Sequence, residues 1–183
     1  MAKLIRSRLE LIREYAPPGR WAEFGVEWGA FAKEMLKRKD VEELWLIDCW
    51  RPYPDADLRD PAVLDEVRGE AAYTEVMNTI GRDLRVRIVR DLIESAACGF
   101  PCEFFDFAYL DAGHRYKHVQ RQLELIYPLV RKGGMLAGHD YWKIEGFPWI
   151  EVREAVDEFC HSRHLEIALI SDEPCGSFAI IKS

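Results

Sequence analysis

Residues 21–36, WAEFGVEWGAFAKEML, join a short apolar run to a helical pattern through a loop that holds Gly25, Glu27 and Gly29. The run ends at Glu23, and the spacing that follows reads as strand, loop and helix. A glycine loop at a helix N-terminus usually receives a phosphate, because free backbone N–H groups and the helix dipole point at it. Here Glu27 stands where the fingerprint Gly-x-Gly-x-x-Gly has its second glycine. A carboxylate beside a diphosphate is repelled strongly at low effective dielectric.

Outward from this stretch, apolar runs alternate with helical patterns. Ahead of it, residues 1–15 place Leu4, Ile5, Leu9, Ile12 and Tyr15 on one helical stripe, ended by Ala16-Pro17-Pro18-Gly19. AFAKEMLKRK (30–39) is a helix with Lys37, Arg38 and Lys39 at the negative end of its dipole. ELWLID (43–48) is a second buried strand ending at Asp48. Asp60-Pro61 offers an N-cap and a first-turn proline for a helix running to about Ile80. RVRIV (85–89), IESAACGF (93–100) and FFDFAYLD (104–111) read as strand, short helix and strand, the last ending at Asp111.

Val119, Leu123, Ile126, Tyr127 and Val130 mark an amphipathic helix, with RKGG (131–134) as its cationic, glycine-capped end. GMLAGHD (134–140) is a fifth strand, and Val152, Ala155, Val156 and Phe159 mark a further helix. LEIALI and GSFAIIK lie too close together for a helical crossover, so they pair antiparallel. The pattern predicts one α/β domain over 1–183, with an N-terminal helix and turn over 1–19 and the core over 20–183. Its sheet is parallel with one reversed strand, and helices cover both faces.

A chain of 183 residues suits one domain with a proper core. Its 25 basic and 32 acidic side chains give a net charge of -7, which argues against a general nucleic-acid partner. The basic stretch GRDLRVRIVR (81–90) alternates with Leu84, Val86 and Ile88, as an edge strand with a solvated face does. No apolar run approaches the ~20 residues that span a bilayer, and the first residues lack a signal-peptide core, so a cytoplasmic, membrane-free protein is expected. Cys49, Cys98, Cys102, Cys160 and Cys175 are irregularly spaced and odd in number, which disfavours a disulfide framework. Cys160, His161 and His164 are metal-ligand types, but they read as a polar helix end.

In parallel sheets, ligands bind outside the carboxyl ends of the strands. Glu23, Asp48 and Asp111 fall at such ends, and Asp140 lies just past a fourth. A cluster of acids with Glu27 in the loop favours a ligand bearing an ammonium and a sulfonium, of which S-adenosylmethionine is one. Asp48 is placed to receive its ribose diol. The competing readings are that Glu27 points to solvent and that the sheet binds a nicotinamide dinucleotide for an oxidoreductase.

These motifs resemble class I S-adenosylmethionine-dependent methyltransferases, specifically the methyltransferase family 24 group. The resemblance rests on AEFGVEWG, LIDCW, VREAVDEF and, above all, residues 105–142, where YLDAGH and GHDYW flank the amphipathic helix. It covers roughly residues 20 to 183. It implies a Rossmann-like, seven-stranded sheet with an antiparallel last strand inserted beside the fifth. It also implies Glu23, Gly25 and Gly29 around the methionine end of the donor, Asp48 on the ribose, and Asp91 and Leu92 near the adenine. Two departures stand out: the family's Asp-Gly-Asp-His is Asp111-Ala112-Gly113-His114, and Ile93 replaces a usual serine.

Methyl transfer needs an aligned acceptor and, for a hydroxyl, removal of a proton. The candidates are Asp111, His114, His139 and Asp140. In one scheme Asp111 and Asp140, with His139, hold Mg²⁺ or a similar divalent ion that acidifies the acceptor. In the other, His114 or His139 is a metal-free base. The bland reading makes Asp111 the cap of the helix starting near Tyr116. Trp50, Arg51, Tyr53, Tyr141, Trp142, Phe147 and Trp149 fall in loops after the second and fifth strands, where they line an acceptor site, a subunit interface or the core, and the later loop, YWKIEGFPWIEV, has the length of a lid. The N-terminal helix either caps the pocket or joins subunits of a homo-oligomer. The expected activity is O-methylation of a small molecule, with a non-catalytic cofactor-binding module as the alternative from another class.

Overall fold

The computed structural model of the protein describes residues 2–53, 63–143 and 145–183. The chain opens with a strand, β1 (Lys3–Ile5), where the apolar spacing predicts a helix. Helix α1 is a single turn, Arg8–Glu10, continued by a π-helical turn over Leu11–Tyr15. The cause is tertiary: Lys3, Leu4 and Ile5 pair in parallel with Leu169, Ile170 and Ser171, so a sheet edge takes their backbone groups. Leu11 and Ile12 then turn into the core.

The remaining elements are β2 (Gly19–Phe24), α2 (Ala30–Met35), β3 (Val41–Asp48), α3 (Glu66–Thr79), β4 (Val86–Arg90), α4 (Ile93–Ala97), β5 (Phe105–Leu110), α5 (Tyr116–Ile126), β6 (Val130–Gly138), α6 (Val152–Ser162), β7 (Ile167–Ser171) and β8 (Phe178–Ile181). They form one eight-stranded sheet in the order β1-β7-β8-β6-β5-β2-β3-β4. Among the described residues the expected seven strands are therefore eight, because β1 adds an edge. Strand β8 lies between β6 and β7 and runs antiparallel to both, giving two antiparallel pairings.

Three local expectations are corrected. Residues 131–134 do not end a helix: α5 stops at Ile126, and RKGG belongs to β6, where Gly133 N–H donates to Lys182 O and Lys182 N–H to Gly134 O. Helix α3 starts at Glu66, capped by Asp65, whose carboxylate accepts Arg68 N–H at 2.7 Å. Asp60 and Pro61, the expected start, lie outside the described residues. Lys37, Arg38 and Lys39 lie beyond α2, and Arg38 Nη1 instead donates to Ile12 O at 2.6 Å and Ala16 O at 2.9 Å, the carbonyl end of the π-helical turn.

Both faces of the sheet are buried. Trp21, Leu44, Leu46, Phe107 and Tyr109 face Met35 and Val76, while Phe24, Ile47 and Phe105 face Leu123 and Val156. Such two-sided burial is why the strands read as continuous apolar runs. Strands β2 to β6 are mutually parallel, so their carboxyl ends open on one rim in the spatial order β6, β5, β2, β3, β4. From β5 to β4 this rim spans three strand spacings, roughly 14 Å. No described helix is long and apolar enough to cross a membrane.

Candidate active site

A hollow of about 650 Å³ sits on that rim, and Glu23, Asp48, Asp111 and Asp140 all line it. The loop after β2 is shaped from below. Gly25 has φ +89°, and a Cβ there would lie 1.9 Å from the Asp111 carbonyl oxygen, so no other residue lets the loop cross β5 so closely. Asp48 Oδ2 accepts Val26 N–H at 2.7 Å and Glu27 N–H at 2.9 Å, while Oδ1 accepts Trp50 N–H at 2.7 Å. The acid predicted to meet a ribose thus first fixes the loop that meets the rest of the ligand.

The two carboxylates expected at the methionine end of the donor, Glu23 and Glu27, differ in their surroundings. Glu27 lies exposed at the mouth of the hollow, its backbone held at φ +50°. Glu23 is the buried one: it is 2% exposed, and its Oε2 has no hydrogen-bond partner. Burial, reinforced by the charges of Asp111 and Asp48 and opposed by Arg8, pushes its pKa well above the ordinary glutamate value. A buried carboxyl left without a partner is costly unless something arrives to meet it. Gly29 does not line the hollow; it is the left-handed N-cap of α2.

At the ends of β5 and β6, His114 Nε2 lies 3.1 Å and His139 Nδ1 3.3 Å from the same oxygen, Asp140 Oδ2. His139 Nδ1 is 3.8 Å from Asp111 Oδ1, and Arg8 Nη1 is 3.3 Å from Asp111 Oδ2. Strict alternation would separate His139 from Asp140. Asp140 escapes it because β6 ends at Gly138 and Asp140 adopts φ +58°. Burial alone would raise Asp140, but hydrogen bonds from both imidazoles outweigh it and hold the carboxyl below its usual range. Burial also raises Asp111, against the pull of His139 and Arg8. His139 is raised because Asp140 and Asp111 together outweigh its own burial. One atom from each of Asp111, His139 and Asp140 falls within a 4.8 Å group that could hold a metal ion.

The far end of the hollow is apolar on one side, with Leu92 and Ile93 at the start of α4. Facing it from α5 are His118 and Gln122, whose Nδ1 and Oε1 are buried without partners. Gly113 leaves room for this imidazole: a Cβ there would be 3.4 Å from His118 Nδ1. Asp91 does not line the hollow; its Oδ1 accepts Leu92 N–H at 2.7 Å.

Several alternatives are settled by geometry. Asp111 does not cap α5; the N–H of Tyr116 goes to Glu151 Oε2 at 3.0 Å. Of the loop aromatics, Tyr53, Phe147 and Trp149 line the hollow. Trp50 and Tyr141 are core residues, and Trp142 Nε1 donates to Ser171 O at 2.8 Å. Cys160 is buried while His161 and His164 are exposed, and among the described residues the only metal-ligand group is the one on the rim. Arg85 pairs with Asp83 and Arg87 with Glu43, so the basic strand carries its own counter-charges.

The sequence reading missed Arg8, His118 and Gln122. Arg8 lay in a segment read as a separate helix. His118 and Gln122 stand one turn apart beside the Val119, Leu123 and Ile126 stripe, a polar pair on the edge of a buried face, and that spacing was the available signal.

The profile of the family described as "Methyltransferase domain" matches residues 22–141. No curated protein matches the chain. Among solved structures, the O-methyltransferase NovP is 20% identical with a TM-score of 0.63, over 96% of this chain and 79% of that one. An O-methyltransferase family protein from Burkholderia thailandensis is 10% identical with a TM-score of 0.68, over 96% and 55%. Spermidine synthase in complex with the transition state analogue AdoDATO is 15% identical with a TM-score of 0.60, over 97% and 57%. At these identities the likeness is one of fold.

Proposed function

The chain belongs to the S-adenosylmethionine-dependent methyltransferase family whose profile it matches, and we propose that it transfers the methyl group to an oxygen of a small molecule. The observation that carries this reading is the unpartnered carboxylate of Glu23, buried in a hollow it shares with Asp48 and Asp111. Such a hollow suits a ligand with positive charge at one end and a flat base at the other. Glu23 would receive the donor's ammonium, Asp48 its ribose, and Leu92, Ile93, His118 and Gln122 its adenine. Gln122 offers an amide that matches the donor and acceptor edge of that base.

When bound, the donor supplies a methyl carbon made electrophilic by its sulfonium. The protein's part is to hold the acceptor oxygen in line and to manage its proton. Phe147, Trp149 and Tyr53 give the hollow apolar walls for a flat acceptor. The two carboxylates suit Mg²⁺ or Mn²⁺ and the imidazole a softer ion of the same charge, and Asp111 and Asp140, with His139, would hold such a divalent ion. Such an ion would lower the pKa of an acceptor hydroxyl. A second reading has a specific observation behind it: His114 lines the hollow and is oriented by Asp140 at 3.1 Å, as a general base needs.

The test is incubation with donor labelled in its methyl group and a panel of phenols, catechols, aliphatic alcohols, amines and carbon acids, with and without divalent ions. Label on an acceptor oxygen supports the proposal. Label only on nitrogen or carbon acceptors contradicts it, and binding without transfer to any acceptor favours the cofactor-binding-module reading.

A further inference from the structure

The amino-acid end of the hollow holds a second charged group. Arg8 lines it beside Glu23, yet it comes from the N-terminal segment, ahead of the residues that match the family. Its placement is built rather than incidental. Strand β1 pairs with β7, and Asp172 N–H donates to Ile5 O at 2.8 Å. Arg8 N–H is then held by Glu173, whose carboxylate also accepts Ser171 Oγ at 2.9 Å. The guanidinium lies over the Phe31 ring at 4.8 Å and reaches Asp111 Oδ2 through one nitrogen at 3.3 Å. The Arg8 side chain also interacts with the Tyr109 hydroxyl; it remains 30% exposed, and its planar fork has donors beyond these contacts.

One end of the hollow therefore presents a carboxylate without a hydrogen-bond partner and a part-exposed guanidinium with donors to spare. An ammonium and a carboxylate on a single carbon complement that pair, as an α-amino acid provides. Either protein group alone would leave one ligand charge desolvated and unmatched, which is costly. We propose that Arg8 binds the carboxylate of the donor's methionine end while Glu23 receives its ammonium, so that the N-terminal strand and turn select the intact amino acid. The inference rests on the methyl-donor reading above and assigns a recognition role to a residue outside the family match.

Calorimetry with three ligands tests it: S-adenosylhomocysteine, its decarboxylated analogue, which keeps the ammonium, and methylthioadenosine, which lacks both charges. The wild type should bind S-adenosylhomocysteine at least about tenfold more tightly than the decarboxylated analogue. Arg8→Met should weaken S-adenosylhomocysteine by about tenfold and leave the decarboxylated analogue within about threefold, while Arg8→Lys keeps part of the preference. A wild type that does not distinguish the first two ligands overturns the proposal, without needing any variant to fold. So does an Arg8→Met protein that weakens both equally. Failure of the wild type to bind any of the three removes the methyl-donor reading itself, an outcome distinct from lost discrimination.

Discussion

Asp48 holds Glu27 by its backbone: the Glu27 N–H donates to Asp48 Oδ2 at 2.9 Å, and Val26 N–H donates to the same oxygen at 2.7 Å. An acid at the end of β3 thereby sets the path of the loop that follows β2. The two neighbouring strands, paired in register up to Phe24 and Ile47, bring donor and acceptor together.

This makes Asp48 a structural as well as a binding residue. Hydrogen bonds to a charged group contribute about 1.5–3 kcal/mol each, though not additively. Asp48→Ala should lower unfolding stability by roughly 2–4 kcal/mol and weaken S-adenosylhomocysteine by more than about tenfold. Asp48→Asn, which keeps one acceptor oxygen, should recover part of both. Denaturant titration checks the first effect, and an alanine variant of unchanged stability would remove Asp48 from the loop's support.

Glu23 predicts a pH dependence of a definite sign. Its folded pKa is raised above the ordinary value of 4.5. Between that value and its folded pKa, the native chain holds a proton the unfolded chain has released. Stability therefore falls as pH rises through this window. Glu23→Gln should gain on the wild type from pH 4.5 upward and then level off. An ammonium ligand favours the ionised form, so wild-type affinity for S-adenosylhomocysteine should rise across the same window and that of Glu23→Gln should not. Titrations in buffers of differing ionisation enthalpy would show the proton released on binding.

Gln122 offers a trade between stability and function. Its Oε1 is buried without a partner, which costs about 1–3 kcal/mol in the ligand-free protein. Gln122→Leu should raise the melting temperature and weaken adenosyl ligands by about tenfold. A leucine variant that is stabilised and binds normally would show that the amide does not read the base.

The legible and illegible parts of the molecule separate by the range of the interactions involved. Strands β2, β3, β5 and β6 could be read because burial on both faces writes an unbroken apolar run, and α5 because its stripe is regular. The acids at Glu23, Asp48 and Asp111 could be placed because a strand end is a local feature. Strand β1 could not, since three residues beginning Lys-Leu-Ile carry no period, and a partner some 160 residues away decides their state. Arg8 was hidden for the same reason. The resemblance placed Glu23 at the methionine end, but that Glu27 stays exposed was out of reach, because it depends on a left-handed turn at Glu27 and on what Asp48 grips.

The cluster just past the ends of β5 and β6 predicts dependence on a divalent ion. Mn²⁺ should bind at one site by paramagnetic resonance, Asp140→Asn should abolish that binding, and chelation should suppress methyl transfer. Transfer that survives chelation but is lost in His114→Gln would instead give the proton to the imidazole.

The central claim, that acids gathered on the rim receive a positively charged methyl donor, is tested most directly by calorimetric titration of the wild-type protein with S-adenosylhomocysteine. The account predicts one site per chain with a Kd at or below roughly 100 µM. Absence of binding at millimolar ligand would contradict it.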